Sequence, residues 1–192
     1  MSHICYQSTN HRLASEGPEK VSFRQALLQG LAPDQGLYMF DHIPTLNPAQ
    51  LESYRERPYH ELATYVLTLF LKDEIPALRL AQMAEEAYGP NSGWPGGVTI
   101  PLETLEPNFH LARLDQGPTA SFKDFAAQIM ARLMAFVRPA HQPITILVAT
   151  SGDTGSAVGE AYRGREGVRV FYFVPDQRSK PGAEKTAGIY RG

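Results

Sequence analysis

Two short segments carry residue types that can do chemistry. The first is Gly117-Pro118-Thr119-Ala120-Ser121-Phe122-Lys123-Asp124-Phe125. Ser121 suits the N-cap of a following helix, which sets Lys123 in that helix's first turn. Unpaired backbone N–H groups and the positive end of the helix dipole gather at such a place. An amine must be neutral to attack an aldehyde, and a helix start disfavours the ammonium form. Spacing alone favours a plainer reading, in which Lys123 is a solvated helix-start residue and Asp124 is the group the dipole favours.

The second segment is Thr150-Ser151-Gly152-Asp153-Thr154-Gly155-Ser156. It lies between an apolar run and a helical stretch, where ligands bind at the carboxyl end of a parallel strand. Small residues let backbone N–H groups approach an anion, so a carboxylate or phosphate is the natural guest. The Gly-Lys-Ser/Thr ending of a Walker loop is absent, and so is G-x-G-x-x-G. An equal claim belongs to a structural reading, with Asp153 or Thr154 capping the helix and the glycines serving tight strand-to-helix packing.

The elements that must position these segments are legible around them. Residues 144–149 form a continuous apolar run rich in β-branched side chains, which predicts a strand buried on both faces. A helix over about 154–162 and a second strand over 168–174 complete a βαβ pattern, hence a parallel sheet under helices. Residues 121–137 read as a long helix with Phe122, Phe125, Ala126, Ile129, Met130, Leu133 and Val137 as its apolar spacing, and 109–114 as a short strand. Upstream, residues 21–88 have helical periodicity. Ser22 and Gln25 make a capping-box pattern, with Gly30 closing that helix. Residues 33–36 read as a tight turn, Asn47-Pro48 begins a second helix, and two more are expected over 58–71 and 76–88. The glycine- and proline-rich stretch 89–101, around Trp94, reads as a surface connector. The expected organisation is α/β: a small helical domain over 1–90, then the start of a parallel-sheet domain over 91–192. A two-strand parallel sheet is not a finished fold, so that second domain is expected to be incomplete at its carboxyl end.

Composition narrows the function classes. A formal net charge of −2 gives no electrostatic case for nucleic acid or an anionic membrane. The one cysteine, Cys5, cannot form an internal disulfide, and the polar first dozen residues lack the apolar stretch of a secretory signal, so cytoplasm is the expected compartment. The longest apolar-rich run, 65–71, is too short to span a bilayer. The six histidines are scattered, with no second ligand at metal-binding spacing.

The run G-P-T-x-x-F-K-D-F followed by T-S-G-D-T-G-S resembles two signature segments of threonine synthases. A third match covers Tyr6-Gln7-Ser8-Thr9-Asn10, Val21-Ser22-Phe23 and the stretch from Gly30 to Tyr38 with its Asp34-Gln35-Gly36 turn. The resemblance runs from residue 6 to about 175. It implies a pyridoxal 5'-phosphate enzyme of the tryptophan-synthase-β-like fold (fold type II), converting O-phospho-L-homoserine and water to L-threonine and phosphate. It further implies Lys123 as the catalytic, cofactor-bearing lysine and Phe122 beside the cofactor ring. Asp153 stands where many relatives have an asparagine facing the ring oxygen. Ser151, Gly152, Asp153, Thr154 and Gly155 would cradle the substrate carboxylate, and Asp124 would orient the helix start. Departures are Ala120-Ser121 before Phe122, Asp115-Gln116 before Gly117, and residues 175–182. Family members are more than twice as long, and the loop for the cofactor phosphate and the pyridine-nitrogen contact are expected outside these residues. Other readings are a fold type II lyase or dehydratase, or a non-catalytic protein of the same architecture. The oligomeric state is open.

Overall fold

The computed structural model describes residues 3–10, 19–139, 141–150, 152–174 and 188–191. Chain order is β1 (Tyr6–Ser8), α1 (Phe23–Gln29), β2 (Tyr38–Phe40), α2 (Pro48–Glu52), α3 (Tyr59–Leu71), α4 (Ala77–Tyr88), β3 (Leu102–Glu106), β4 (Phe109–Ala112), α5 (Lys123–Val137), β5 (Ile144–Ala149), α6 (Asp153–Tyr162), β6 (Val168–Val174) and β7 (Gly188–Arg191). No helix among the described residues is long and apolar enough to cross a membrane.

The sequence signals for helix starts act where they stand. The Ser22 side chain accepts the Gln25 amide at the head of α1, and Asn47 accepts the amides of Ala49 and Gln50 at the head of α2. A carboxylate from far along the chain joins the first of these. Glu74, between α3 and α4, accepts the amides of Phe23 at 2.5 Å and Arg24 at 3.1 Å, where the dipole of α1 favours a negative charge. The expected turn at 33–36 is also present, but its left-handed residue is Gln35 at φ 66°. Gly36 has another purpose: a Cβ there would lie 2.0 Å from Ser8 Oγ. Ser8 Oγ donates to Asp34 at 2.6 Å and Asn10 Nδ2 donates to the Asp34 carbonyl at 2.7 Å, so β1 and the turn before β2 interlock.

Helix α5 is the shared wall of the molecule. On one side Leu133 joins Leu71 of α3, Ile75 of the following turn, and Leu80 and Met83 of α4, with Phe23 and Leu27 of α1 packed against them. On the other side Ala127 and Ala131 meet Ala157, Val158 and Ala161 of α6. The buried stripe follows the apolar face read in the sequence only in part, with Leu133 and Val137 buried and Phe125 and Ile129 half-buried. Phe122 is 60% and Met130 37% exposed, and Ala126 is exposed, while Ala127, Gln128 and Ala131 are buried. Close helix-to-helix approach selects small side chains, which carry a weak hydrophobic signal.

Strands β5 and β6 pair in parallel from Ile144 with Val168 to Ala149 with Phe173, and α6 crosses between them as the βαβ pattern requires. Strand β7 adds antiparallel to β6, giving the order β5-β6-β7, which the sequence did not suggest. The expectation of a strand buried on both faces is overturned for β5. Val148 and Ile146 pack with α5 and α6, and the half-buried Ile144 shares their face, whereas Thr145, Leu147 and Ala149 are exposed, Leu147 at 64%. Among the described residues the helices lie on one face, and a continuous apolar run does not reveal which face is left bare. The hairpin β3–β4, of which only the second strand was expected, is exposed along its whole length.

Glycine sets the distance between α6 and the sheet. A Cβ at Gly159 would lie 1.9 Å from the Tyr172 hydroxyl and 3.0 Å from its ring. Gly159→Ala is expected to destabilise the chain by about 1–3 kcal/mol, because the partly buried Tyr172 ring, packed against the core, must shift to make room. Urea unfolding followed by far-UV circular dichroism checks it; an unchanged midpoint would contradict this packing.

Candidate active site

The lysine-bearing segment begins with a turn. The Ala120 amide donates to the Gly117 carbonyl at 3.0 Å, with Pro118 at the second position. Ala120 takes a left-handed backbone at φ 54°, which costs a non-glycine residue about 1–2 kcal/mol. Ser121 is buried at the entrance to α5. Its Oγ accepts the Lys123 amide at 3.3 Å and its carbonyl accepts the Asp124 amide at 3.0 Å. The expected capping hydroxyl is thus in place, although Phe122, one residue further on, is the last residue before the helix.

Asp124 is fully buried. Its Oδ2 accepts the Thr119 amide at 2.8 Å and its Oδ1 accepts the Thr119 hydroxyl at 2.7 Å. A Cβ at Gly117 would stand 2.5 Å from Asp124 Oδ2. Glycine, threonine and aspartate of the motif are therefore one unit: the carboxylate bonds to the turn, and glycine leaves it room.

The second segment leaves the carboxyl end of β5. Thr150 Oγ1 accepts the Gly152 amide at 3.2 Å, and the Thr150 amide donates to the Phe173 carbonyl at 3.2 Å. Gly152, not Asp153 or Thr154, precedes the first residue of α6, in an extended backbone with no side-chain cap. It is exposed, and a Cβ there would meet nothing within 4 Å. Gly155 is buried; its amide donates to the Gly152 carbonyl at 3.1 Å, and a Cβ would lie 2.5 Å from Thr150 Cγ2. Gly155 thus packs helix against strand, while Gly152, Asp153 and Thr154 face outward. Ser151 lies outside the described residues, as do residues 175–182.

The two segments meet. Lys123 Nζ stands 3.5 Å from Asp153 Oδ2, across thirty residues of sequence, and 4.4 Å over the Phe122 ring. The lysine side chain is about one-third exposed, and Asp153 is open to solvent. A partly exposed primary amine, an exposed aromatic ring and the bare backbone at Gly152 therefore share the carboxyl end of β5. Among the described residues no group of histidine, cysteine or carboxylate side chains could hold a metal ion.

The support beneath this site was not visible in the sequence. The glycine-rich connector is no plain surface loop, because Trp94 within it is only 2% exposed. Its ring lies 5.3 Å from Phe125 and 5.9 Å from Tyr88, and Tyr59 meets Tyr88 edge-on at 5.2 Å. The Tyr88 hydroxyl donates to the Phe125 carbonyl at 2.7 Å, tying α4 to the first turn of α5. Burial pushes the Tyr88 phenol well above its ordinary range, with a smaller rise from Tyr59. Gly93, next to the tryptophan, leaves room for Pro118, whose Cγ would lie 2.9 Å from a Cβ there. A lone tryptophan in a run of glycines and prolines was the available signal.

The family described as "Threonine synthase N terminus" matches residues 5–88. Threonine synthase of Corynebacterium glutamicum is 42% identical over 175 residues, covering 88% of this chain and 36% of that protein. The Haemophilus influenzae threonine synthase is 39% identical over 167 residues, covering 87% of this chain and 37% of that protein. A crystal structure of PLP-bound threonine synthase from Brucella melitensis matches at TM-score 0.79 and 37% identity, over 93% of this chain and 37% of that one. Residues 5–88 thus match the amino-terminal family of the threonine synthases, and most of the chain is similar to part of longer threonine synthases. The chain spans 36% and 37% of the length of the two curated threonine synthases. The threonine synthase family match at 5–88 includes the interlocked Ser8, Asn10 and Asp34. The longer threonine synthase alignments cover most of the chain.

Proposed function

We propose that this chain is the amino-terminal part of a threonine synthase that carries pyridoxal 5'-phosphate on Lys123 and acts on O-phospho-L-homoserine. The observation that carries the reading is the approach of Lys123 Nζ to Asp153 Oδ2 at 3.5 Å, because it joins the two motif segments at one strand end. The residues present fit an aldehyde-bearing aromatic cofactor. Lys123 offers a partly exposed primary amine, Phe122 an exposed ring, and Gly152 a backbone free of obstruction. When bound, the cofactor supplies the electron sink for carbanion chemistry.

The chain's own residues supply the rest. Lys123 holds the cofactor and moves protons among the substrate carbons from its position at the start of α5. Gly152 and Thr154, exposed at the start of α6, would hold the substrate carboxylate, while the buried Gly155, whose amide donates to the Gly152 carbonyl, would set the segment's shape. Asp153 would orient the Lys123 amine, 3.5 Å away, from the position where many relatives carry an asparagine. On this reading residues 1–90 are the helical domain and 91–192 the first part of a fold type II catalytic domain. The family match over 5–88 favours threonine synthase over a dehydratase of the same fold.

The test is to mix the purified chain with pyridoxal 5'-phosphate, reduce with borohydride and map the adduct by mass. A dominant adduct on Lys123 is expected, with little or no phosphate released from phosphohomoserine by these 192 residues alone. Adducts spread evenly over the five lysines would overturn the assignment.

A further inference from the structure

We infer that Asp124 is the positioning residue of the lysine-bearing segment: through its two bonds to Thr119 it holds the turn that aims Lys123 at the start of α6. The inference rests on the reading of Lys123 as the cofactor lysine. Burying a carboxylate is costly, and it persists where specific bonds hold it. Asp124 has no exposed surface, and both its oxygens are occupied by donors of one residue five positions earlier. An apolar side chain would fill the same place in α5 at lower cost, so the bonds and not the packing explain an acid there.

Three features tie those bonds to the direction of Lys123. Asp124 follows it directly, and successive helix residues point about 100° apart, so an inward Asp124 fixes Lys123 on the neighbouring face. The clamped turn contains Ala120 in the left-handed region, a conformation that persists only where the surroundings over-determine it. Gly117 is the residue that leaves the carboxylate its space. Asp124 therefore works through the backbone, as a positioning residue and not a catalytic one.

The experiment compares Asp124→Ala, Asp124→Asn and Thr119→Val in the full chain with two readouts. One is the share of borohydride-fixed pyridoxal 5'-phosphate adduct on Lys123. The other, independent of the cofactor, is the trace-acetylation rate of Lys123 relative to Lys20 and Lys72. Asp124→Ala is expected to lower the Lys123 adduct share roughly tenfold or more, since small misplacements of a reacting group are costly. It should also change the Lys123 acetylation rate relative to those of the two reference lysines. Asp124→Asn should recover most of both, because its oxygen still accepts the Thr119 amide while the hydroxyl turns from donor to acceptor. If Asp124→Ala does not fold, Thr119→Val, which keeps the side-chain volume, carries the comparison with an intermediate loss expected. Folded variants that match the wild type in both readouts would overturn the inference. Scattered adducts in the wild type, together with an altered Lys123 acetylation rate in the variants, would remove the cofactor assignment and leave the positioning role standing.

Discussion

Lys123→Ala is expected to abolish selective attachment of pyridoxal 5'-phosphate while leaving the thermal midpoint almost unmoved. The two effects separate because the lysine does little for the fold. Its ion pair with Asp153 spans 3.5 Å and the carboxylate is mostly in water, so the pair is worth about 0–1 kcal/mol. Its chemical contribution rests on the amine itself, since only a neutral amine condenses with an aldehyde. Lys123→Arg sharpens the contrast: it keeps the positive charge beside Asp153 but has no amine to offer. Both variants should drop adduct formation to the level of the remaining lysines, read by mass mapping after borohydride. Selective adduct in either variant would place the reactive amine elsewhere. A fall of many degrees in midpoint would mean that Lys123 is part of the core.

Trp94→Ala should have the largest effect on stability of any single change described here, about 3–5 kcal/mol. Domains of ordinary size are stable by about 5–15 kcal/mol, so this removes a large share. The ring is 2% exposed and wedged among Tyr88, Phe125 and Val98, and its removal opens a cavity under the first turn of α5. Trp94→Phe should cost much less. The indole N–H is buried without an acceptor among the described residues, so phenylalanine keeps most of the apolar contact and removes an unbonded donor. Urea unfolding of the two variants gives the comparison, and equal midpoints would show that Trp94 does not hold the connector to the helix. Since Gly93 lies against Pro118, the alanine variant should also weaken the selectivity of Lys123.

Local order was determined by the sequence. Ser22, Asn47 and Gly30 end their helices as the sequence predicts, because capping depends on residues within one turn of one another. The strand-helix-strand pattern after residue 144 is borne out in parallel pairing, because β-branched runs and a short crossover leave few other solutions. The two chemical segments could also be picked out, since each is contiguous. What lay beyond the sequence were relations between distant residues. Whether β5 is covered on one face or two depends on where helices pack, not on its own apolar run. Ala127 and Ala131, not Phe122 and Met130, face the interior because α5 must approach α6 closely. Asp124 could be read as a helix-start acid from its neighbours, but only the folded turn brings Thr119 back to both its oxygens. The approach of Lys123 to Asp153 belongs to the same class. It exists because β5 and α6 hold one segment where α5 delivers the other, and that meeting is a property of packing rather than of either motif.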